Sequence, residues 1–119
     1  MSMDTRQVWS FLGEELGGAK RLKKTEVVSR LKHLESWDLS GNAKSIFKEY
    51  LMKDFMAAVR FIERIAKVAE AEGHHPDLHL SGYRKLRIEI STHAIGGLSE
   101  NDFILAAKID KLPRHLEAR

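Results

Sequence analysis

The sequence predicts an α+β fold, a two-layer sandwich in which helices cover one face of a four-stranded antiparallel sheet. Apolar residues recur at helical spacing from Phe55 to Ala69 and alternate with polar residues from Leu86 to Ile90. Strand pairs separated by helices favour an antiparallel sheet covered on one side. The predicted order is helix, two strands, helix, two strands, helix (α-β-β-α-β-β-α), preceded by an N-terminal helical extension.

The first half of the chain is expected to contribute two helices and one hairpin. Apolar residues between Val8 and Leu16 predict a short amphipathic helix that ends at Gly17-Gly18. Thr25 is expected to cap the next helix, and Trp37–Leu39 to form a short strand. Ile46–Leu51 should be the hairpin partner of that strand.

The long central helix has a predicted start and a predicted end. Asp54 precedes the first apolar residue of the series and is a suitable N-cap. Gly73 is the residue type that ends helices in a left-handed turn, and Pro76 biases His75 away from helical geometry. The two histidines His74 and His75 should therefore leave the helix on a rigid turn.

The second half repeats the arrangement of the first. A strand is expected around Leu78–Leu80, followed by a turn at Ser81-Gly82 and a second strand from Tyr83 to Ser91. Ser99 then begins the last helix, and Asp102 at its third position completes a capping box.

Composition predicts one small soluble domain at 25–112, with an extension at 1–24 and a tail at 113–119. The 119 residues are 43% hydrophobic, enough for one modest core. No cysteine is present, which excludes disulfides and thiolate chemistry. The net charge of +3 is mild and no basic stripe carries aromatics, so nucleic-acid binding is not expected. No signal peptide or membrane span is visible, and a cytoplasmic protein is predicted.

Three histidines are the candidate reactive groups. His74 and His75 follow the long helix, and His93 follows the predicted strand that ends at Ser91. Histidine serves as acid and as base near neutral pH because its ordinary pKa is about 6.5. The same histidines would be the ligands of a zinc site, but adjacent histidines make poor joint ligands and no His-x-x-x-His pair occurs, so no metal is expected.

A family pattern runs through these residues. The chain resembles the pterin-4a-carbinolamine dehydratase family from about Thr25 to Leu112. The resemblance is carried by Glu70, His74, His75, Pro76, Tyr83, Thr92, His93 and Asp102, and by Ile46-Phe47-Lys48-Glu49-Tyr50 and Lys53-Asp54-Phe55.

The resemblance implies a lyase that removes water from a 4a-hydroxytetrahydropterin, as in tetrahydrobiopterin recycling, without a cofactor. The implied roles are catalysis by His74, His75 and His93, support by Glu70 and Asp102, and substrate binding by Pro76, Tyr83 and Thr92. It also implies a homodimer or homotetramer. The alternative implied role is non-enzymatic: a protein-binding dimerisation cofactor that stabilises a homeodomain transcription factor.

Overall fold

The computed structural model describes residues 20–118, which form the predicted order of helices and strands. The predicted helix between Val8 and Leu16 lies outside the described residues. The elements are α1 (Lys24–Leu31), β1 (Asp38–Leu39), β2 (Ile46–Leu51), α2 (Phe55–Glu72), β3 (Asp77–Ser81), β4 (Lys85–Ile90), a 3-10 turn (His93–Ile95) and α3 (Glu100–Asp110).

The four strands form one antiparallel sheet in the order β1-β2-β4-β3. Alternate side chains of β2 and β4 are buried, as expected for strands with one covered face. The buried set is Ile46, Lys48, Tyr50, Leu86, Ile88 and Ile90. The predicted antiparallel sheet with helices on one face is therefore confirmed.

Helix α2 has the predicted ends. Asp54 accepts a hydrogen bond from the Ala57 amide at 2.8 Å, and Gly73 ends the helix with a φ of 64°. The side chains of Phe61, Ile65 and Ala69 are buried in the core. No helix within residues 20–118 combines the length and the apolar character needed to cross a membrane.

The predicted starts of three elements were wrong. Strand β1 begins at Asp38, so Trp37 lies just before it. Helix α1 begins at Lys24 with Lys23 as its N-cap, and Glu26 accepts a hydrogen bond from the Lys23 amide at 2.9 Å. Thr25 therefore lies inside the helix. The strand expected to begin at Tyr83 begins at Lys85, because Tyr83 has a φ of 56° and belongs to the turn. A non-glycine residue in this left-handed region interrupts the extended backbone.

An ion pair on the covered face of the sheet joins β2 to the end of α3. Lys48 is 5% exposed, although it occupies a position where the strand pattern calls for an apolar residue. Its Nζ donates to Asp110 Oδ1 at 3.0 Å, and Trp37 Nε1 donates to the same oxygen at 2.9 Å. The partly buried Asp110 carboxylate therefore neutralises the buried Lys48 ammonium, and a buried charge needs such a partner.

Both ends of the described chain pack on this domain. The Leu22 amide donates to the Leu98 carbonyl at 2.8 Å. Near the other end, the Lys53 amide donates to the Leu116 carbonyl at 3.0 Å, and the Leu116 side chain is buried. Residues flanking the predicted domain thus contribute to its core.

Candidate functional site

The end of α2 positions the adjacent histidines. The Gly73 amide donates to the Glu70 carbonyl at 3.2 Å, and the His74 amide donates to the Ala69 carbonyl at 3.1 Å. These two bonds form a Schellman motif, in which the left-handed glycine reverses the chain. His74 consequently lies just beyond the helix with its backbone fixed.

Asp102 is the centre of a hydrogen-bond network at the start of α3. Its side chain is fully buried, and its Oδ2 accepts hydrogen bonds from the Ser99 amide and the Thr92 hydroxyl, each at 2.8 Å. Its Oδ1 lies 2.6 Å from His74 Nε2. The predicted capping residue is therefore also the direct partner of a predicted catalytic histidine.

The network determines which of its hydroxyl groups donates and which accepts each hydrogen bond. Thr92 uses its only side-chain hydrogen in the bond to Asp102. The Ser99 hydroxyl, 2.8 Å from Thr92 Oγ1, must therefore donate to Thr92. This second role of Ser99 could not be predicted from its position at the start of a helix.

The same bonds select one form of the His74 ring. An ionised carboxylate can only accept hydrogen bonds, so His74 Nε2 carries the hydrogen in its contact with Asp102. In the neutral ring, Nδ1 then has the lone pair. The His74 side chain is 17% exposed, so the ring is held by the protein and still partly accessible. This geometry suits a group that accepts a proton at Nδ1.

The second predicted pair lies at the surface. His75 Nε2 is 2.8 Å from Glu70 Oε1, and the two side chains are 63% and 77% exposed. Each predicted supporting carboxylate thus contacts a different predicted catalytic histidine. Pro76 follows directly and connects this turn to β3.

His93 lies at the edge of a groove beside this network. It begins the 3-10 turn after β4, and its neighbour Thr92 contacts Asp102. Gly96 ends the turn with a φ of 64°. The groove has a volume of about 340 Å³ and is lined by Asn42, Lys44, Ser45, Asp77, Glu89, Ser91, Thr92, His93, Gly96 and Gly97.

Tyr83 is not part of this arrangement. It precedes β4, whereas Thr92 and His93 follow that strand. Six strand residues separate them by about 20 Å at roughly 3.3 Å per residue. The Tyr83 ring is 61% exposed, with the Arg84 guanidinium 5.8 Å from its centre. Within one chain, the structure does not bring Tyr83 to the histidines.

No metal cluster is formed by the described residues. Between residues 20 and 118, no three histidine, aspartate or glutamate side chains are grouped closely enough to hold a metal ion. The histidines contact carboxylates in separate pairs, His74 with Asp102 and His75 with Glu70. A histidine that contacts a carboxylate can take part in proton transfer, since the carboxylate orients the ring and stabilises its charged form.

Sequence comparison with curated proteins finds relatives that are named pterin-4-alpha-carbinolamine dehydratase. The chain is 50% identical over 84 residues to pterin-4-alpha-carbinolamine dehydratase 2, mitochondrial, of Arabidopsis thaliana, matching 69% of this chain and 45% of that protein. It is 42% identical over 96 residues to a putative pterin-4-alpha-carbinolamine dehydratase of Halorhodospira halophila, matching 81% of this chain and 87% of the relative. The chain thus spans less than half of the plant protein and most of the bacterial one.

Solved structures share the fold. A transcriptional coactivator/pterin dehydratase from Brucella melitensis has a TM-score of 0.71 and 29% identity, over 76% of this chain and 95% of that one. A pterin dehydratase-like RuBisCO assembly factor of the alpha-carboxysome has a TM-score of 0.53 at 24% identity, over 66% of this chain and 89% of that one. The second likeness shows the fold alone.

The family model named pterin 4 alpha carbinolamine dehydratase matches residues 20–112. That range includes the whole sheet, all three helices and the network around Asp102. With the identities to the curated relatives, this match shows that the chain belongs to the pterin 4 alpha carbinolamine dehydratase family.

Proposed function

We propose that this protein removes water from 4a-hydroxytetrahydropterin to give quinonoid dihydropterin. The contact between His74 and the buried Asp102, together with family membership, is the main support for this activity. The reaction has no redox step. It breaks the bond between C4a and the hydroxyl oxygen, removes the proton on N5 and forms the C4a–N5 double bond.

This reaction needs one acid and one base. The hydroxyl leaves as water only after it gains a proton, and loss of the N5 proton lets the nitrogen electrons form the double bond. We assign the base to His74, because Asp102 stabilises the imidazolium that forms when its Nδ1 takes the proton. We assign the acid to His93, which lines the adjacent groove. One proton is consumed and one released, so the reaction balances as substrate to product plus water.

His75 is proposed to bind and orient the pterin. Its ring is exposed beside His74 and is held by Glu70. Pro76 limits the backbone freedom of this turn. Thr92 contributes through its contact with Asp102 and its position in the groove, whereas Tyr83 would reach a site only from a neighbouring copy of the chain.

Histidine variants test the proposed chemistry. We expect His74→Ala and His93→Ala each to lower the rate of dehydration by about 10²- to 10⁴-fold, the usual contribution of a general acid or base. The carbinolamine is generated with a hydroxylase, and quinonoid dihydropterin is followed by its absorbance. His79→Ala is the matched control, since His79 is an exposed residue of β3 outside the network. Wild-type protein that does not exceed the spontaneous rate would refute the proposed function.

We also propose that the protein self-associates through α2. A second apolar stripe runs along this helix beside the buried one, at spacings of four, three and four residues. It consists of Phe55, Val59, Ile62 and Ala66, which are exposed or half-buried. Phe55 is 51% exposed. An apolar stripe of this kind is typical of helix-to-helix contacts between subunits.

Substitution in this stripe should give a monomer. Val59→Glu would place an unpaired carboxylate in the contact, which costs several kcal/mol. We expect light scattering to give a multiple of 13.6 kDa for the wild type and about 13.6 kDa for the variant. Lys67→Glu is the control, because it adds a carboxylate on an exposed part of α2 outside the stripe. A wild-type mass for Val59→Glu would contradict the proposed interface.

A protein-binding role is the second candidate function. The Brucella melitensis structure is described as a transcriptional coactivator as well as a pterin dehydratase. Such a role would use the α2 stripe and would not need the histidines. His74→Ala therefore separates the two functions, since it should lower the rate of dehydration and leave partner binding through the stripe unchanged.

A further inference from the structure

The basic run before α1 lies beside a small cavity. Its exposed side chains are those of Lys20, Arg21, Lys23 and Lys24. The cavity has a volume of about 100 Å³, and Arg21, Lys24 and Ala43 form part of its lining. Lys44, which is also exposed, follows Ala43 in the turn between β1 and β2. Cations from two separate segments of the chain therefore lie around the same cavity.

The walls of this cavity are aliphatic. They are formed by side chains that are buried or half-buried in the domain, Leu22, Val27, Leu39 and Leu98. An apolar cavity of roughly 150 Å³ can hold a benzene ring. A cavity of about 100 Å³ is therefore of a size for one aliphatic side chain. Burial of apolar surface favours such an occupant over water.

Arg21 lies between the cavity and the groove beside His93. A Cβ atom at Gly97 would be 3.0 Å from Arg21 Nε and 3.4 Å from its Cγ and Cδ. The lack of a side chain at Gly97 therefore lets the arginine lie against the backbone there. Gly97 lines the groove and Arg21 lines the cavity, so the two are adjacent.

The five cations around the cavity lack an ion-pair partner within the described residues. The ion pairs between residues 20 and 118 involve other arginines, lysines and histidines. Glu26 of α1 is half-buried and accepts a hydrogen bond from the Lys23 amide at 2.9 Å. Asp38 precedes Leu39 in β1, and successive strand residues point to opposite faces, so its carboxylate lies on the other side of the sheet. Positive charge therefore predominates around the cavity.

The adjacent groove contains charges of both signs. Its charged or titratable lining residues are Lys44, Asp77, Glu89 and His93. Glu89 accepts a hydrogen bond from the Ser45 hydroxyl at 2.6 Å, which holds the pKa of Glu89 below its ordinary value. Glu89 also pairs with Arg87 at 3.3 Å. Unbalanced positive charge is thus found around the cavity and not in the groove.

We propose that the cavity and the five cations form a docking site for an acidic peptide segment of a partner protein, with one aliphatic side chain in the cavity. Carboxylates on both sides of that side chain would contact Arg21, Lys24 and Lys44. A peptide is favoured over a nucleic acid, because no aromatic side chain of the described chain lines the cavity, whereas single strands bind through stacked aromatics. The site shares no residue with the α2 stripe and does not depend on the proposed function.

Binding of a labelled peptide to the full-length protein tests this proposal. The probe is a fluorescein-labelled pentapeptide with leucine between two pairs of aspartates, and its anisotropy is followed at low ionic strength, where exposed charges are least screened. We expect Lys24→Glu to weaken binding about fivefold or more, since it removes an ion pair and adds repulsion. Replacing the leucine of the peptide by glycine should weaken binding about tenfold. Lys67→Glu is the matched control, because it makes the same charge change on an exposed part of α2.

The Lys24→Glu variant should remain folded, which circular dichroism checks. Lys24 is the first residue of α1, a position where the helix dipole favours a carboxylate. A loss of peptide binding by this variant would therefore report on the docking site.

Four outcomes would overturn the docking site. The first is no saturable binding of the acidic peptide. The second is equal weakening by Lys24→Glu and Lys67→Glu, or no effect of the leucine, which would indicate attraction by net charge alone. The third is tighter binding of a single-stranded oligonucleotide of the same charge, which would assign the surface to nucleic acid. The fourth is binding only after Glu14→Lys and Glu15→Lys, which would assign the cavity to residues of the same chain.

Discussion

Asp102→Asn should lower the rate of dehydration by about 10²- to 10⁴-fold while the protein remains folded. In the wild type, one oxygen of Asp102 accepts from Ser99 and Thr92, and the other contacts His74 Nε2. The asparagine oxygen can replace the aspartate oxygen that accepts from Ser99 and Thr92. Its NH₂ group must then face His74, because the other side of the residue already receives two donors.

The NH₂ group facing His74 changes the tautomer of the His74 ring. A donor opposite Nε2 requires Nε2 to accept, so the ring hydrogen moves to Nδ1. Nδ1 then lacks the lone pair with which His74 is proposed to remove the N5 proton. The imidazolium also loses its neighbouring negative charge. Both effects lower kcat, whereas the shape of the buried side chain hardly changes.

Asp110→Asn is a matched control for this variant. Asp110 belongs to the same helix and accepts hydrogen bonds from Trp37 and Lys48, away from the histidines. We expect it to lower stability but to retain most of kcat at a temperature where it is folded. Circular dichroism and steady-state rates would be measured for both variants. If Asp102→Asn turned over substrate at a rate within about threefold of the wild type, the assignment of His74 as the general base would be wrong.

The parts of the fold that could be predicted from sequence are those controlled by neighbouring residues. The amphipathic period of α2, the Asp54 cap and the Gly73 turn all act within a few residues, and the structure has each of them. The capping box at Ser99 and Asp102 is local in the same way. The family pattern then identified Asp102 as more than a cap.

Contacts between distant segments could not be predicted in this way. Nothing local indicates that the Ser99 hydroxyl donates to Thr92, or that Ser45 donates to Glu89 across 44 positions. These bonds depend on strand register and on how the helices pack. For Tyr83, the family pattern suggested substrate binding. Tyr83 precedes β4 and His93 follows it, so the length of the strand separates the two residues within one chain.

Arg30→Leu should lower the free energy of unfolding by about 3 kcal/mol, because it leaves a buried carboxylate without its partner. Arg30 of α1 forms a two-point contact with Glu100 at the start of α3. Its Nε donates to Glu100 Oε2 at 3.0 Å, and its Nη2 contacts the other oxygen. The side chains are only 16% and 8% exposed. Val27 is the one fully buried side chain of α1 and Leu31 is partly buried against the core, so this ion pair is a main attachment of α1 to the domain.

Urea unfolding measures the effect. With a slope of roughly 1.5 kcal/mol per molar, a loss of about 3 kcal/mol lowers the midpoint by about 2 M. Arg114→Leu is the control, since the Arg114 side chain is 57% exposed where it pairs with Glu117 and Glu35. Its removal should leave the midpoint close to that of the wild type.

A double variant identifies the origin of the loss. If the cost comes from the unpaired Glu100 carboxylate, Arg30→Leu combined with Glu100→Leu should recover much of the stability, because both charges are then absent. If the double variant is instead less stable than Arg30→Leu by a further 2 kcal/mol or more, the carboxylate itself stabilises α3. Its position in the first turn, where the helix dipole favours negative charge, would be the reason. In that case Glu100 would stabilise the helix that carries Asp102 independently of α1.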